Sequence, residues 1–282
     1  STTYRASLNF RDIQGVANIS GFRQLNGRLN LTQKAFDDRL TLTANLAVTE
    51  RQSEFGLNEA LRYANTYNPT APVRFQDPDA PLIDKYGGYY QEENFDFFNP
   101  VAIQQQSINE GELKDLLFTG KIDYEFIDGL VGSVSYSQQR ESDIFGQYYN
   151  TDAFFRGFNR NGLAERFTED RTTQLFESTV NFSRDLGRVT LNVLGGYSFQ
   201  EFNTENFGVA TGNFIANETT YNALSASLDI PNGLTSLNSN QNMFRVIAFF
   251  GRVNFNLDDT YFLSATLRRE GSSRFGVNER WG

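Results

Sequence analysis

Along most of this chain apolar and polar residues alternate one by one, and a period of two restricts the backbone to extended strands whose side chains point to opposite faces in turn. Tyr4, Ala6, Leu8 and Phe10 alternate with Thr3, Arg5, Ser7 and Asn9. Leu25, Gly27, Leu29 and Leu31 alternate with Asn26, Arg28, Asn30 and Thr32. The pattern recurs from Leu40 to Val48, Phe118 to Phe126, Leu130 to Tyr136, Phe176 to Phe182, Val189 to Phe199, Ile247 to Phe255 and Tyr261 to Leu267. About nine strands follow, each of roughly 9 to 13 residues, against about five or six in an ordinary globular sheet. A strand of ~10 residues, rising ~3.3 Å per residue and tilted by ~45°, covers about 23 Å, which matches the apolar band of a membrane barrel. The polar set carries Arg5, Arg28, Lys121, Asp123, Glu125, Arg252 and Arg268 among Thr, Ser and Asn. A water-filled lumen accepts those charges, but alternation alone fits a soluble sandwich as well.

The connections separate the two. Tight turns are expected at Ala35 to Arg39, Ile127 to Gly129, Asp185 to Arg188 and Leu257 to Asp259, and long excursions over 52–116, 138–172 and 200–242. Each tight turn is followed by a long excursion, so the two kinds fall on opposite rims, as in a transmembrane barrel with short periplasmic turns and long extracellular loops. An odd number of strands leaves open edges that lipid does not tolerate, so the expectation is part of a larger barrel.

Composition removes other classes. There is no cysteine, hence neither disulfides nor thiolate metal sites, and no histidine, hence no His-based triad and no common neutral-pH base. The net charge of −9 opposes general binding to nucleic acid. No apolar run is long enough for a transmembrane helix, and the opening residues show no signal peptide. Gly271 and Gly276 have the spacing of a phosphate-binding loop, but Val277 and Asn278 stand where its Lys and hydroxyl belong, so an ordinary polar turn is the expectation.

Within the first excursion Leu57, Ala60, Leu61 and Ala64 recur at helical spacing and predict a short amphipathic helix ending before Pro69. No cofactor is expected. Asp77, Asp79 and Asp84, and Glu92, Glu93 and Asp96, supply oxygen ligands that could hold a loop calcium, but no EF-hand pattern accompanies them and solvated charge is the simpler reading. The Asp37–Asp38 and Asp258–Asp259 pairs fall in tight turns, where Asp serves the backbone rather than catalysis. Aromatic residues of the excursions, among them Tyr86, Tyr89, Tyr90, Phe95, Phe97, Phe98, Tyr148, Tyr149, Phe154 and Phe155, serve either a partner surface or small loop cores.

The closing stretch FFGRVNFNLDDTYFLSATLRREGSSRFGVNERWG (249–282) resembles the mid-barrel signature of SusC/RagA-type TonB-dependent outer-membrane transporters, with Glu270 in place of the more usual Asp. YRASLNFRDIQGV, NGRLNLTQKAFDDRLTLTANL, ALRYANTYNPTAPV and FNPVAIQQQSINE leading into FTGKIDYEFIDGLVGSVSYS agree with it in order, whereas residues 142–241 match only in strand pattern. The resemblance implies an all-β fold: residues 1–282 as part of a large antiparallel transmembrane β-barrel, about nine of an expected 22 strands, with the plug domain and remaining strands outside this sequence. It also implies import of oligosaccharides or oligopeptides, a SusD-like surface lipoprotein as partner, TonB engaged through an N-terminal region this sequence lacks, contact with outer-membrane lipid and lipopolysaccharide, and no nucleic acid. Arg28, Lys121, Asp123, Arg252 and Arg268 are the expected lumen-facing contacts to substrate or plug. A barrel serving as a structural member of a larger outer-membrane assembly, or a soluble or surface β-rich adhesin, are the alternatives.

Overall fold

The computed structural model describes residues 1–92 and 96–282. Among them nine strands form one antiparallel sheet in strict chain order: β1 (Thr2–Gln14), β2 (Gly21–Ala35), β3 (Leu40–Glu54), β4 (Ser107–Ile127), β5 (Leu130–Tyr149), β6 (Leu163–Asp185), β7 (Val189–Gly212), β8 (Ser236–Leu257) and β9 (Tyr261–Ser272). The register slips only between Glu125 and Ile127, so facing residues can be followed from edge to edge. Leu42 pairs with Ile122, then Val134, Ser178, Tyr197 and Phe249 in turn. One position along, Thr41 pairs with Asp123, then Ser133, Thr179, Gly196, Phe250 and Arg268. Directly paired residues share a face, so these two rows define an apolar and a polar side.

The apolar side is bare. Ile122 is 50% exposed, Val134 45% and Phe249 53%. Water does not support a continuous face of such side chains, whereas hydrocarbon does. No helix among the described residues is long and apolar enough to cross a membrane, so the crossing is made by strands. The sheet is one continuous arc of a transmembrane β-barrel wall.

Sequence periodicity underestimates strand length. β4 to β8 run for 21, 20, 23, 24 and 22 residues, and the strand-free segments shrink to 55–106, 150–162 and 213–235, in place of 52–116, 138–172 and 200–242. A strand of 23 residues is about 75 Å long, far more than a bilayer needs. The reason is visible on the apolar side, where Val48, Leu116, Tyr136, Phe176, Phe199 and Ile247 are each followed, two to four residues toward the long connections, by Glu50, Lys114, Arg140, Thr172, Glu201 and Arg245. Beyond that line both faces meet water. Backbone pairing continues while the alternation that reveals it stops.

Connections 36–39, 128–129, 186–188 and 258–260 lie on one rim, and 15–20, 55–106, 150–162 and 213–235 on the other. In the tight turns Asp37, Asp38, Asp258 and Asp259 all adopt positive φ, which Asp tolerates better than most residues. The Arg188 guanidinium grips the Asp258 carboxylate, tying two adjacent turns and holding that carboxyl below its usual range. After β9 the chain turns through residues 273–279, and Ser272 donates to the Arg280 carbonyl at 2.8 Å. Trp281 then lies against Gly271, where a Cβ would approach the indole to 2.8 Å, so the close-packed turn accounts for that glycine.

Charge in the middle of the apolar face should be costly. Val134→Arg is expected to destabilise the full-length barrel by about 2–4 kcal/mol in urea titrations in phospholipid vesicles, and Ser135→Arg, one residue along on the polar face, by much less.

Candidate functional site

All five sequence-predicted residues, Arg28, Lys121, Asp123, Arg252 and Arg268, fall on the polar face. Lys121 pairs with Asp123 at 2.7 Å along the same strand, and Ser133 of β5 donates to Asp123 from the facing position. Arg252 donates to Thr266 on β9 at 3.3 Å. Arg268 bonds Glu270 through Nε at 2.9 Å and Nη2 at 2.6 Å, and its guanidinium lies over the ring of Phe250, 5.9 Å from the centroid. Arg28 is exposed and, among the described residues, has no side-chain partner. The five do not converge. Asp123 and Arg268 share a row but stand five strands apart, about 24 Å at the usual inter-strand spacing. They form a charged wall rather than a pocket.

A denser charge cluster lies further along the polar face, toward the long connections. Arg171 of β6 reaches Asp143 at 2.7 Å, Glu169 at 3.0 Å and Glu141 at 3.8 Å. Asp115, facing Glu141, accepts from Gln139 at 3.0 Å. These residues sit in segments expected to be loop. The alternation of Glu141 with Asp143 and of Glu169 with Arg171 was the available sign that both stretches are strands with these charges on one face.

The long connections fold onto the projecting strand ends, on both sides. Segment 55–106 contains α1 (Asn58–Thr66) and α2 (Pro100–Gln105). Its core joins Leu57, Ala60, Tyr63 and Ile103 to Tyr149 and Phe155, with Tyr149 and its register partner Leu163 on the polar-face side. Tyr63 takes the buried helix position, whereas Leu61 and Ala64, expected on that face, are exposed. Asn99 caps α2 by accepting from the Val101 and Ala102 amides, and its Nδ2 donates to the carbonyls of Val73 and Tyr90. Segment 213–235 packs instead on the apolar-face parity, joining Phe214 and Tyr221 to Tyr148 and Ala164. Tyr221 donates to Glu110, and its ring lies where a Cβ on Gly146 would come within 2.3 Å, so Gly146 is the clearance that lets the loop dock. Segment 150–162 joins the other two through Arg156–Glu59 at 3.4 Å and Arg160–Asp229 at 2.6 Å, the latter to a buried carboxylate.

The loop aromatics are therefore largely core: Tyr86, Tyr89, Tyr148, Tyr149 and Phe155 are buried. Glu93 and Phe95 lie outside the described residues. Asp96 is engaged by Arg62 at 2.8 Å and by the Tyr63 hydroxyl at 2.6 Å, Glu92 by Asn68 at 3.1 Å, and Asp77 by the Asp79 amide at 3.0 Å. Among the described residues no three acidic side chains converge as a metal site would require.

No family model matches the chain. Over 205 residues it is 28% identical to TonB-dependent receptor P3 of Formosa agariphila, covering 72% of this chain and 20% of that protein. Over 308 residues it is 25% identical to TonB-dependent receptor SusC of Bacteroides thetaiotaomicron, covering 99% of this chain and 28% of that one. The chain thus spans less than a third of the length of these relatives. The solved structure of the RagAB peptide transporter superposes over the whole chain with a TM-score of 0.80 at 17% identity, covering 31% of that protein. The more distant ferric preacinetobactin receptor BauA of Acinetobacter baumannii gives a TM-score of 0.55. The chain has the fold of an outer-membrane TonB-dependent receptor barrel wall, and in sequence and fold it is similar to a stretch of the SusC/RagA type.

Two outcomes are expected for the loops. Gly146→Val removes the clearance for Tyr221, so segment 213–235 becomes sensitive to limited proteolysis while the barrel keeps its heat-modifiable migration. Burial pushes the Tyr67 hydroxyl up to about 12, and burial with the bond to Glu110 does the same for Tyr221. A folded-state value above that of the unfolded chain, about 10, stabilises the loops below that pH, and the contribution is lost as pH rises through about 12. Proteolysis of the loops should therefore accelerate between about pH 10 and 12, and less so in the Tyr67→Phe/Tyr221→Phe protein.

Proposed function

We propose that these residues form part of the wall of an active outer-membrane importer for oligomers too large for a passive pore, with the polar face lining the lumen and the long connections outside the cell. One observation carries the reading: a single uninterrupted antiparallel sheet whose apolar face suits lipid, whose polar face carries Arg28, Lys121, Asp123, Arg252 and Arg268, and whose long loops all lie on one rim. The kinship to TonB-dependent receptors supports energisation through TonB, and the likeness to SusC and to a peptide transporter supports oligosaccharides or oligopeptides as cargo with a SusD-like lipoprotein as lid. Lipid and lipopolysaccharide then surround the apolar band and the charged line above it.

Of the five, Arg28, which has no side-chain partner among the described residues, is the most available to cargo or plug, while Lys121 and Asp123 chiefly neutralise each other. Uptake of fluorescent oligosaccharides and oligopeptides is expected to disappear on deletion of the full-length gene and on depletion of TonB. Arg28→Glu should lower uptake without loss of surface expression, and Lys121→Met/Asp123→Leu should change it less. Unimpaired uptake in the deletion strain, together with a defective outer-membrane assembly, would favour a structural role.

A further inference from the structure

Beyond the apolar band, the polar face changes character from one side of the sheet to the other. In two adjoining rows Glu141 and Arg171 of β5 and β6 continue into Thr204 and Asn242, and Asp143 and Glu169 continue into Asn206 and Asn240. Asn238 extends the amide run by one more position on the same face of β8. Asn238, Asn240 and Asn242 are exposed, and neither they nor Asn206 has a side-chain partner among the described residues. Elsewhere on this face neighbouring strand asparagines do bond each other, as Asn192 bonds Asn181 at 3.1 Å. Just below the amides, Phe202 and Phe244 stack with centroids 4.4 Å apart, and the Arg274 guanidinium covers Phe244, giving the shelf a rigid apolar floor.

We infer that this amide shelf on β7 and β8 is a subsite for an uncharged, hydroxyl-rich oligomer, and that the carboxylates beside it discriminate against anionic cargo. This rests on the import reading above and narrows its cargo to neutral oligosaccharide. Each carboxamide offers a donor and an acceptor side by side, which suits neighbouring sugar hydroxyls, each both donor and acceptor. A charged cargo would call for a complementary ion, but Arg171 is already held by its three carboxylates and the Arg274 guanidinium lies over Phe244. The four carboxylates Asp115, Glu141, Asp143 and Glu169 leave the adjoining wall negative, so a polyanion approaching the shelf is repelled. In β7 the shelf backbone is paired on both sides, whereas β8 before Val246 pairs with β7 alone, so a peptide adding as a strand is the rival occupant that the test below compares directly.

The test uses the purified full-length receptor in detergent, with calorimetric binding of maltoheptaose, cellohexaose, xylohexaose and mannohexaose, an oligogalacturonate, and uncharged nonapeptides. At least one neutral oligosaccharide is expected to bind and the oligogalacturonate not. Asn240→Ala/Asn242→Ala should weaken that binding about tenfold or more, consistent with loss of two to four hydrogen bonds, whereas Gln241→Ala, on the opposite face, should leave it unchanged. Glu141→Gln/Glu169→Gln should raise oligogalacturonate binding. Melting of each variant, measured in parallel, checks that the wall is intact. Neutral sugar binding that survives the double asparagine variant overturns the subsite. Binding of peptides or oligogalacturonate in place of neutral sugars overturns the cargo class. Failure of energised cells to take up a sugar that the purified receptor binds through the shelf would instead sink the import reading and leave the subsite standing.

Discussion

The rest of this structure depends on one unbroken backbone hydrogen-bond ladder. In hydrocarbon no water compensates an unpaired N–H or C=O, so every strand must pair with its neighbours, in register, over the whole apolar band. The near-constant pairing from β1 to β9 meets that requirement, and it has a second effect. Because paired residues share a face, a fixed register carries the polar or apolar identity of each row across the sheet. A one-residue slip of β4 would turn Lys121 and Asp123 toward lipid.

The same ladder continues well beyond the apolar band. There it becomes a scaffold with water on both sides, and the chain uses both: segment 55–106 builds its core around Tyr149 on one face, and segment 213–235 around Tyr148 on the other. Two successive residues of one strand thus anchor two separate loop cores. Segment 150–162 joins these through Arg156 and Arg160, so the long connections are a coupled cap rather than independent flaps. The charged and amide rows of β4 to β8 lie between this cap and the apolar band.

Legibility in the sequence followed the solvent. Where one face meets lipid and the other water, as from Leu130 to Tyr136 or Phe176 to Phe182, the alternation located strands and placed Arg28, Lys121, Asp123, Arg252 and Arg268 on one side. Where both faces meet water the pattern fades, and Glu141, Asp143, Glu169 and Arg171, whose local sequence suggests loop, are paired strand. Helix α1 was visible from its spacing, but the choice of Tyr63 over Leu61 for its buried side depended on where Phe98 and Phe155 lie, and these come from distant parts of the chain.

By itself the sequence determined the strand count, the face of each wall residue and the separation of short turns from long loops. All three follow from local periodicity imposed by two different solvents and from turn chemistry in neighbouring residues. Only the tertiary structure decided how far the strands project, which loop aromatics are core, and which charges meet. Those depend on contacts between residues such as Tyr221 and Glu110, more than a hundred positions apart, whose proximity is created by register across several strands and leaves no periodic trace in the chain.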